Sequence, residues 1–209
     1  MSIRHCALAL ALAAAAGFGV SPVAHAQLFA GYVVAGANAN QVNGDLLAGY
    51  NRLGARAGIG VYSDLSDRWR WSLEIAYTQH GSSASARETR RMLSIYDKIG
   101  LQYASVPVSI HYMDWLSADA EIYHLEFVAG LAYNRLIRSE VIGTLGDDLT
   151  DARPYSDNVV TGHVGAYYAW SLKWAAGLVY VRGVNDAQAI DSESRQSLEQ
   201  LSFRLRRTF

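Results

Sequence analysis

Residues 69–79, Trp-Arg-Trp-Ser-Leu-Glu-Ile-Ala-Tyr-Thr-Gln, sort two kinds of side chain with a period of two. Trp69, Trp71, Leu73, Ile75 and Tyr77 alternate with Arg70, Ser72, Glu74, Ala76 and Thr78. Successive side chains of a strand point to opposite faces, so the stretch predicts a strand with one oily and one polar face. No run of 3.6-residue period competes with it, apart from one loop.

The same alternation recurs outward in both directions. Toward the N-terminus, Arg52–Tyr62 sets Leu53, Ala55, Ala57, Ile59 and Val61 against Arg52, Gly54, Arg56, Gly58 and Gly60, and Phe29–Asn40 reads as a first strand. Toward the C-terminus, Leu101–Tyr112 opposes Val106, Val108, Ile110 and Tyr112 to Ser105, Pro107, Ser109 and His111. A fifth strand from Tyr123 to Asn134 opposes Phe127, Leu131 and Tyr133 to His124, Glu126, Gly130 and Asn134. Val159–Trp170 is the sixth, Lys173–Arg182 the seventh with its phase open, and the tail from Leu201 to Phe209 the eighth. There Leu201, Phe203, Leu205 and Phe209 oppose Ser202, Arg204, Arg206 and Thr208.

Connections between these strands alternate in length. Long ones, including Gly81–Lys98 and Ile137–Asn158, follow the odd strands, and short ones follow the even strands. That is the anatomy of an up-and-down barrel with both termini on the short-turn side. Aromatic residues sort by end in the same way. Trp69, Trp71, Trp115, Trp170 and Trp174 lie in or beside the short turns, with Phe209 at the same level, and Tyr77, Tyr103, Tyr133 and Tyr180 lie toward the opposite ends. Tryptophan and tyrosine favour the bilayer–water interface, so the pattern predicts two aromatic girdles.

The front of the chain reads as an export signal. Arg4 and His5 precede an apolar run over Cys6–Val20, and Ala24-His25-Ala26 has cleavage-site form. Removal of residues 1–26 is expected, leaving residues 27–209 as one domain; a retained N-terminal anchor is the alternative. The chain's one cysteine, Cys6, falls inside the signal, which excludes a disulfide framework and a thiolate metal site in the remainder. Basic and acidic side chains number 18 and 19, a balance that argues against nucleic acid as a partner.

In hydrocarbon every backbone polar group must be paired within the protein, so a spanning sheet must close on itself. The expected fold is therefore an all-β, eight-stranded, antiparallel up-and-down transmembrane barrel whose bore is filled by side chains. Arg52, Arg56, Arg70, Glu74, His111, His124, Glu126, His163, Arg204 and Arg206 are inward by phase and compose a polar network of both signs. Pro107, mid-strand, predicts a bulge, and Arg207, on the outward face near the end, is placed to snorkel to the headgroups.

With these stretches in place, the chain resembles outer-membrane barrels of the PorT-like family, with OmpA/OmpX-like barrels as architectural relatives. The resemblance rests on "AGANAN" (35–40), on residues 51–81, on "YASVPVSIHY" (103–112) and on "FVAGLAYNRLI" (127–137). It implies an outer-membrane location in a Gram-negative bacterium and no catalytic residues. A terminal Phe209 after alternating apolar residues also resembles the C-terminal signal of such proteins, which implies recognition by the barrel assembly machinery. Arg207 departs from that pattern.

Candidate chemistry is sparse. His111, His124 and His163 with Glu74 and Glu126 lack the HxH or HExxH spacing of a zinc site, so they read as lumen hydrogen-bonding groups and no metal or cofactor is expected. Some outer-membrane barrels modify lipid A; that alternative would place a nucleophile and base at His80 with Ser82, Ser83 or Ser85. Arg87, Arg90 and Arg91 in one outer loop suit the phosphates of lipopolysaccharide, or pair with the acidic loop carrying Glu140, Asp147, Asp148, Asp151 and Asp157. The acidic loop has no EF-hand spacing for calcium. The sequence therefore reads as a non-enzymatic barrel acting through its surface loops in envelope integrity, adhesion or surface interaction. Rival readings are a lipid-A-modifying enzyme, a narrow channel and a soluble periplasmic ligand-binding barrel.

Overall fold

A computed structural model describes residues 29–43, 49–84, 96–117, 122–150, 155–185 and 197–209. The signal segment, the loop arginines Arg87, Arg90 and Arg91, Ser85 and Asp151 lie outside the described residues. Eight strands follow in order: β1 (Ala30–Asn43), β2 (Arg52–Asp64), β3 (Trp69–Ser83), β4 (Tyr96–Leu116), β5 (Tyr123–Gly143), β6 (Asn158–Ala169), β7 (Trp174–Gly183) and β8 (Ser197–Thr208). Each pairs antiparallel with its neighbours in sequence, and β1 pairs with β8 from Tyr32↔Thr208 to Asn43↔Ser197, closing the barrel. Among the described residues no helix is long and apolar enough to cross a membrane.

Phase decides what faces where. Ile59, Ile75, Val108, Phe127, Leu131, Val164, Leu178 and Phe203 are exposed on the outer wall, while Arg56, Glu74, Ser109, Glu126, His163 and Arg204 are buried inside it. All four tryptophans of the strands or turns that are most exposed, Trp69, Trp115, Trp170 and Trp174, face outward at the short-turn end. The open phase of β7 resolves with Ala175, Gly177, Val179 and Val181 inward. A continuous apolar exterior of this extent marks a surface made for something other than water.

Several expectations need correction. Pro107 causes no bulge: β4 stays in register through Pro107↔Ala132, and the β3–β4 ladder keeps the same register on both sides of the pairs it omits there. The irregularities fall instead between Tyr96 and Lys98 and between Gln102 and Tyr103. Nor do strands stop where the long loops were drawn. β4 and β5 each run 21 residues, about twice what a tilted spanning strand needs. Tyr96, Lys98, Ser139 and Val141 thus belong to strands, not to loops.

In these extra turns of pleat the polarity of the wall reverses. Below, apolar side chains face out and the polar ones face in, beside a small inward apolar cluster of Val128, Tyr167, Ala175, Val179 and Val181. Above, Val42, Ile99, Leu101, Tyr103, Val141, Val159 and Leu198 form a buried cluster inside the bore. Tyr155, from the segment between β5 and β6, joins them, with Leu136 and Leu149 packed alongside. Lys98 and Glu140 stand half exposed on the outer side of the same wall and pair at 3.0 Å. A sheet wrapped in water must bury apolar residues on its inner face, and a sheet wrapped in hydrocarbon need not. The bore is therefore polar in its lower part only, and its outer end is an ordinary apolar core.

Candidate functional site

The lower bore holds two linked ionic groups. β8 carries Arg206 inward to meet Glu126 of β5 through two contacts of 2.7 Å, a bidentate pair. Glu126 Oε1 also lies 2.7 Å from His111 Nδ1, and His111 Nε2 lies 2.8 Å from Ser72 Oγ. Arg206 sits over the rings of Tyr62 and Tyr167 at 5.0 and 4.6 Å, and Tyr62 stacks on Tyr32 at 4.3 Å. Tyr32 donates its hydroxyl to Glu74 Oε2 at 3.1 Å, and Arg56 donates to Glu74 Oε1. Burial makes these charges costly unless they are paired, and here each carboxylate has its arginine.

Higher in the bore the contacts become neutral. Asn38 Oδ1 accepts from the Ser202 hydroxyl at 2.7 Å, Arg204 Nε donates to Ser202 Oγ, and Gln200 Nε2 donates to Asn40 Oδ1. His163 Nε2 is 2.8 Å from Ser109 Oγ. Asn134 Nδ2 donates to Thr161 Oγ1 and to two backbone carbonyls. Tyr32, Asn38 and Asn40 of this network escaped the sequence reading, although they sit at even positions of β1 opposite the exposed Val33 and Ala35.

Of the ten residues placed in the network from sequence, seven are buried in the bore: Arg56, Glu74, His111, Glu126, His163, Arg204 and Arg206. Arg70 reaches its inner rim, where it meets Asp64 at 3.2 Å and lies over Tyr62. Arg52 meets none of these carboxylates; its side chain lies across Gly81 and Gly100, where an added methyl group would come within 2.7 Å of it. His124 also leaves the network. Its cross-strand neighbour Trp115 has a left-handed backbone (φ 57°) that turns the indole outward, and His124 stacks on the outward Tyr168 with Trp115 edge-on at 5.6 Å.

The girdle needs one correction as well. Tyr77, Tyr133 and Tyr180 take the outward phase, and Tyr133 and Tyr168 are among the exposed aromatics. Tyr103 is fully buried, because it shares the inward phase of Ser105 and Pro107, and its ring meets His80 edge-on. At the inner end Arg207 lies over Trp174 and Phe209 at 5.6 and 5.4 Å, so its charge rests on aromatic faces at the rim.

The chemistry open to these groups is limited. His80 is 3% exposed and faces Tyr103 inside the barrel, not the lipid side where a lipid-modifying base would have to stand. Ser72, His111 and Glu126 have the connectivity of a hydroxyl–imidazole–carboxylate relay. Ser72 is 1% exposed, however, and the carboxylate is already committed to Arg206. A cavity of about 130 Å³ at the inner mouth, lined by Arg70, Met113, Lys173 and Trp174, has Glu126 and Arg206 as its floor. No group of three potential metal ligands occurs among the described residues.

No protein-family model matches the chain, and no curated protein matches it. Among solved structures, neisserial surface protein A is similar with a TM-score of 0.51 and 17% identity, over 86% of this chain and 97% of that one. The attachment invasion locus protein Ail of Yersinia pestis, solved with the heparin analogue sucrose octasulfate, gives 0.47 and 11% over 87% and 99%. A de novo designed transmembrane β-barrel gives 0.39 and 12% over 86% and 95%. The first of these supports the fold, a closed eight-stranded barrel of outer-membrane type. The PorT-like label gains nothing from the comparisons.

Proposed function

We propose that the protein is an integral outer-membrane barrel of a Gram-negative cell, non-enzymatic and closed, which works through the part of its wall that stands above the bilayer. The observation that carries this reading is the reversal of polarity along β4 and β5. Val106, Val108 and Ile110 face out below it, Ala104 and Arg135 pair at its edge, and Gln102, Lys98, Arg138 and Glu140 stand above. Cations just over an apolar belt sit at the level of lipid phosphates, so lipopolysaccharide is the first partner and an opposing surface the second. The alternation in the tail supports insertion by the barrel assembly machinery. A filled bore speaks against a channel, the oily exterior against a soluble barrel, and the inward His80 against the enzyme.

The absence of cysteine after Cys6 supplies a clean test. Arg138→Cys is expected to react with a membrane-impermeant maleimide on intact cells, and Val179→Cys, inside the bore, is not. Cells displaying a variant with Lys98, Arg135 and Arg138 neutralised should then attach less well to immobilised lipopolysaccharide. Labelling of Arg138→Cys only after lysis, or unchanged attachment, would sink the reading.

A further inference from the structure

Between the ion-paired lower bore and the apolar outer end lies a small cavity of about 10 Å³. Arg56, Arg204, His80, Thr78, Ser105 and Thr161 are on its wall. That volume admits one water or one monatomic ion and nothing polyatomic.

The charges around it do not balance. Three arginines are buried in the bore, Arg56, Arg204 and Arg206, against two carboxylates, Glu74 and Glu126. Glu126 is taken by Arg206 and Glu74 by Arg56. Arg204, 5% exposed, donates Nε to the Ser202 hydroxyl and hydrogen-bonds Tyr167; it feels Glu74 only at longer range, as that carboxylate is paired with Arg56, and has no carboxylate at ion-pair distance among the described residues. Two buried nitrogens on the same wall, Arg56 Nε and His80 Nδ1, have no hydrogen-bond partner within the protein. One acceptor, Gln200 Oε1, is likewise without a partner there; with His80 as the Nδ1–H tautomer the wall has two such donors to one acceptor, beside its positive charge. A water could satisfy the donors and leave the charge uncompensated; an uncompensated buried charge is what folded proteins avoid.

We propose that this cavity is a halide site, in which one chloride compensates Arg204 and accepts from Arg56 Nε and from His80 in its Nδ1–H tautomer. The ion is a structural ligand, enclosed as the barrel closes. It is independent of what the outer wall binds.

The experiment loads the site during folding. The mature chain is unfolded in urea, refolded into detergent with sodium bromide as the salt, and crystallised, and anomalous scattering is measured at the bromine edge. A peak in mid-bore between Arg56 and Arg204 is expected. Urea midpoints are compared in parallel for chain refolded in chloride and in gluconate at equal ionic strength. The midpoint should be higher in chloride for the unaltered chain and the same in both salts for Arg204→Gln. Should Arg204→Gln fail to refold, the bromide map of the unaltered chain decides. Bromide confined to surface arginines, an adventitious ion only, or equal midpoints in the two salts for the unaltered chain would overturn the proposal.

Discussion

The lower bore and the outer end of this barrel share the same eight strands and are filled by opposite means. Below, Glu126 and Arg206, Glu74 and Arg56, and His111 with Ser72 occupy the interior through charge and hydrogen bonds. Above, Ile99, Leu101, Tyr103, Val141 and Leu198 occupy it through apolar contact. The difference teaches that what surrounds a closed sheet decides what fills it. Where the wall's outer face meets hydrocarbon, as proposed, apolar side chains lie outward at no cost and inward positions are open to polar residues. Where that face meets water, the hydrophobic effect pulls apolar residues back inside. The bulge at Gln102/Tyr103, against Leu136 and Arg138, lies at the changeover.

The contrast can be broken most sharply at the buried pair. Glu126→Ala strands Arg206 in the bore and should cost about 3–5 kcal/mol of stability, read from urea unfolding in detergent. Glu126→Gln combined with Arg206→Met should recover most of that loss, and a double variant as unstable as the single would remove the charge-pairing account. In the apolar end no such rescue exists. Leu101→Ala should cost about 2–5 kcal/mol by lost contact and the cavity left behind. A loss near zero would mean that the outer end is not a packed core.

The level of the changeover is open to a charge scan up the outer face of β4. Val108→Arg, in the apolar belt, should lower stability in bilayers by about 2–4 kcal/mol, and Gln102→Arg by no more than about 1. Equal penalties at both positions would move the boundary above Gln102. The smallest effect belongs to the half-exposed Lys98–Glu140 pair: Lys98→Ala should change stability by less than about 1 kcal/mol, and less still at high salt.

Much of this was legible one strand at a time. The clean alternation in 69–79 and in the tail assigned lumen and outer faces correctly for Glu74, Arg204 and Arg206, because no bulge interrupts it. Tyr103 was misplaced by its height in the strand, although its odd number, shared with Ser105 and Pro107, assigns it inward. The outermost parts of β4 and β5, 96–98 and 137–143, fall within the expected loops because the apolar-out pattern ends there. In β5 the phase also slips, Tyr103 pairing with Leu136 and Gln102 with Arg138, so period-two reading loses the thread. His124 was lost for a different reason: a left-handed residue opposite it redirects the side chains at the rim.

By itself the sequence determined the number of strands, their antiparallel order and the lower wall's two faces, since these follow from a period of two and from turn spacing. Only the tertiary structure decided that the outer end is an apolar core, that Arg204 lacks a carboxylate, and that the Glu126–Arg206 pair meets across the bore. The Glu126–Arg206 pair joins residues 80 positions apart along the chain, and the apolar core joins Val42 to Leu198. They depend on register and closure, which bring far strands face to face and which no local pattern encodes.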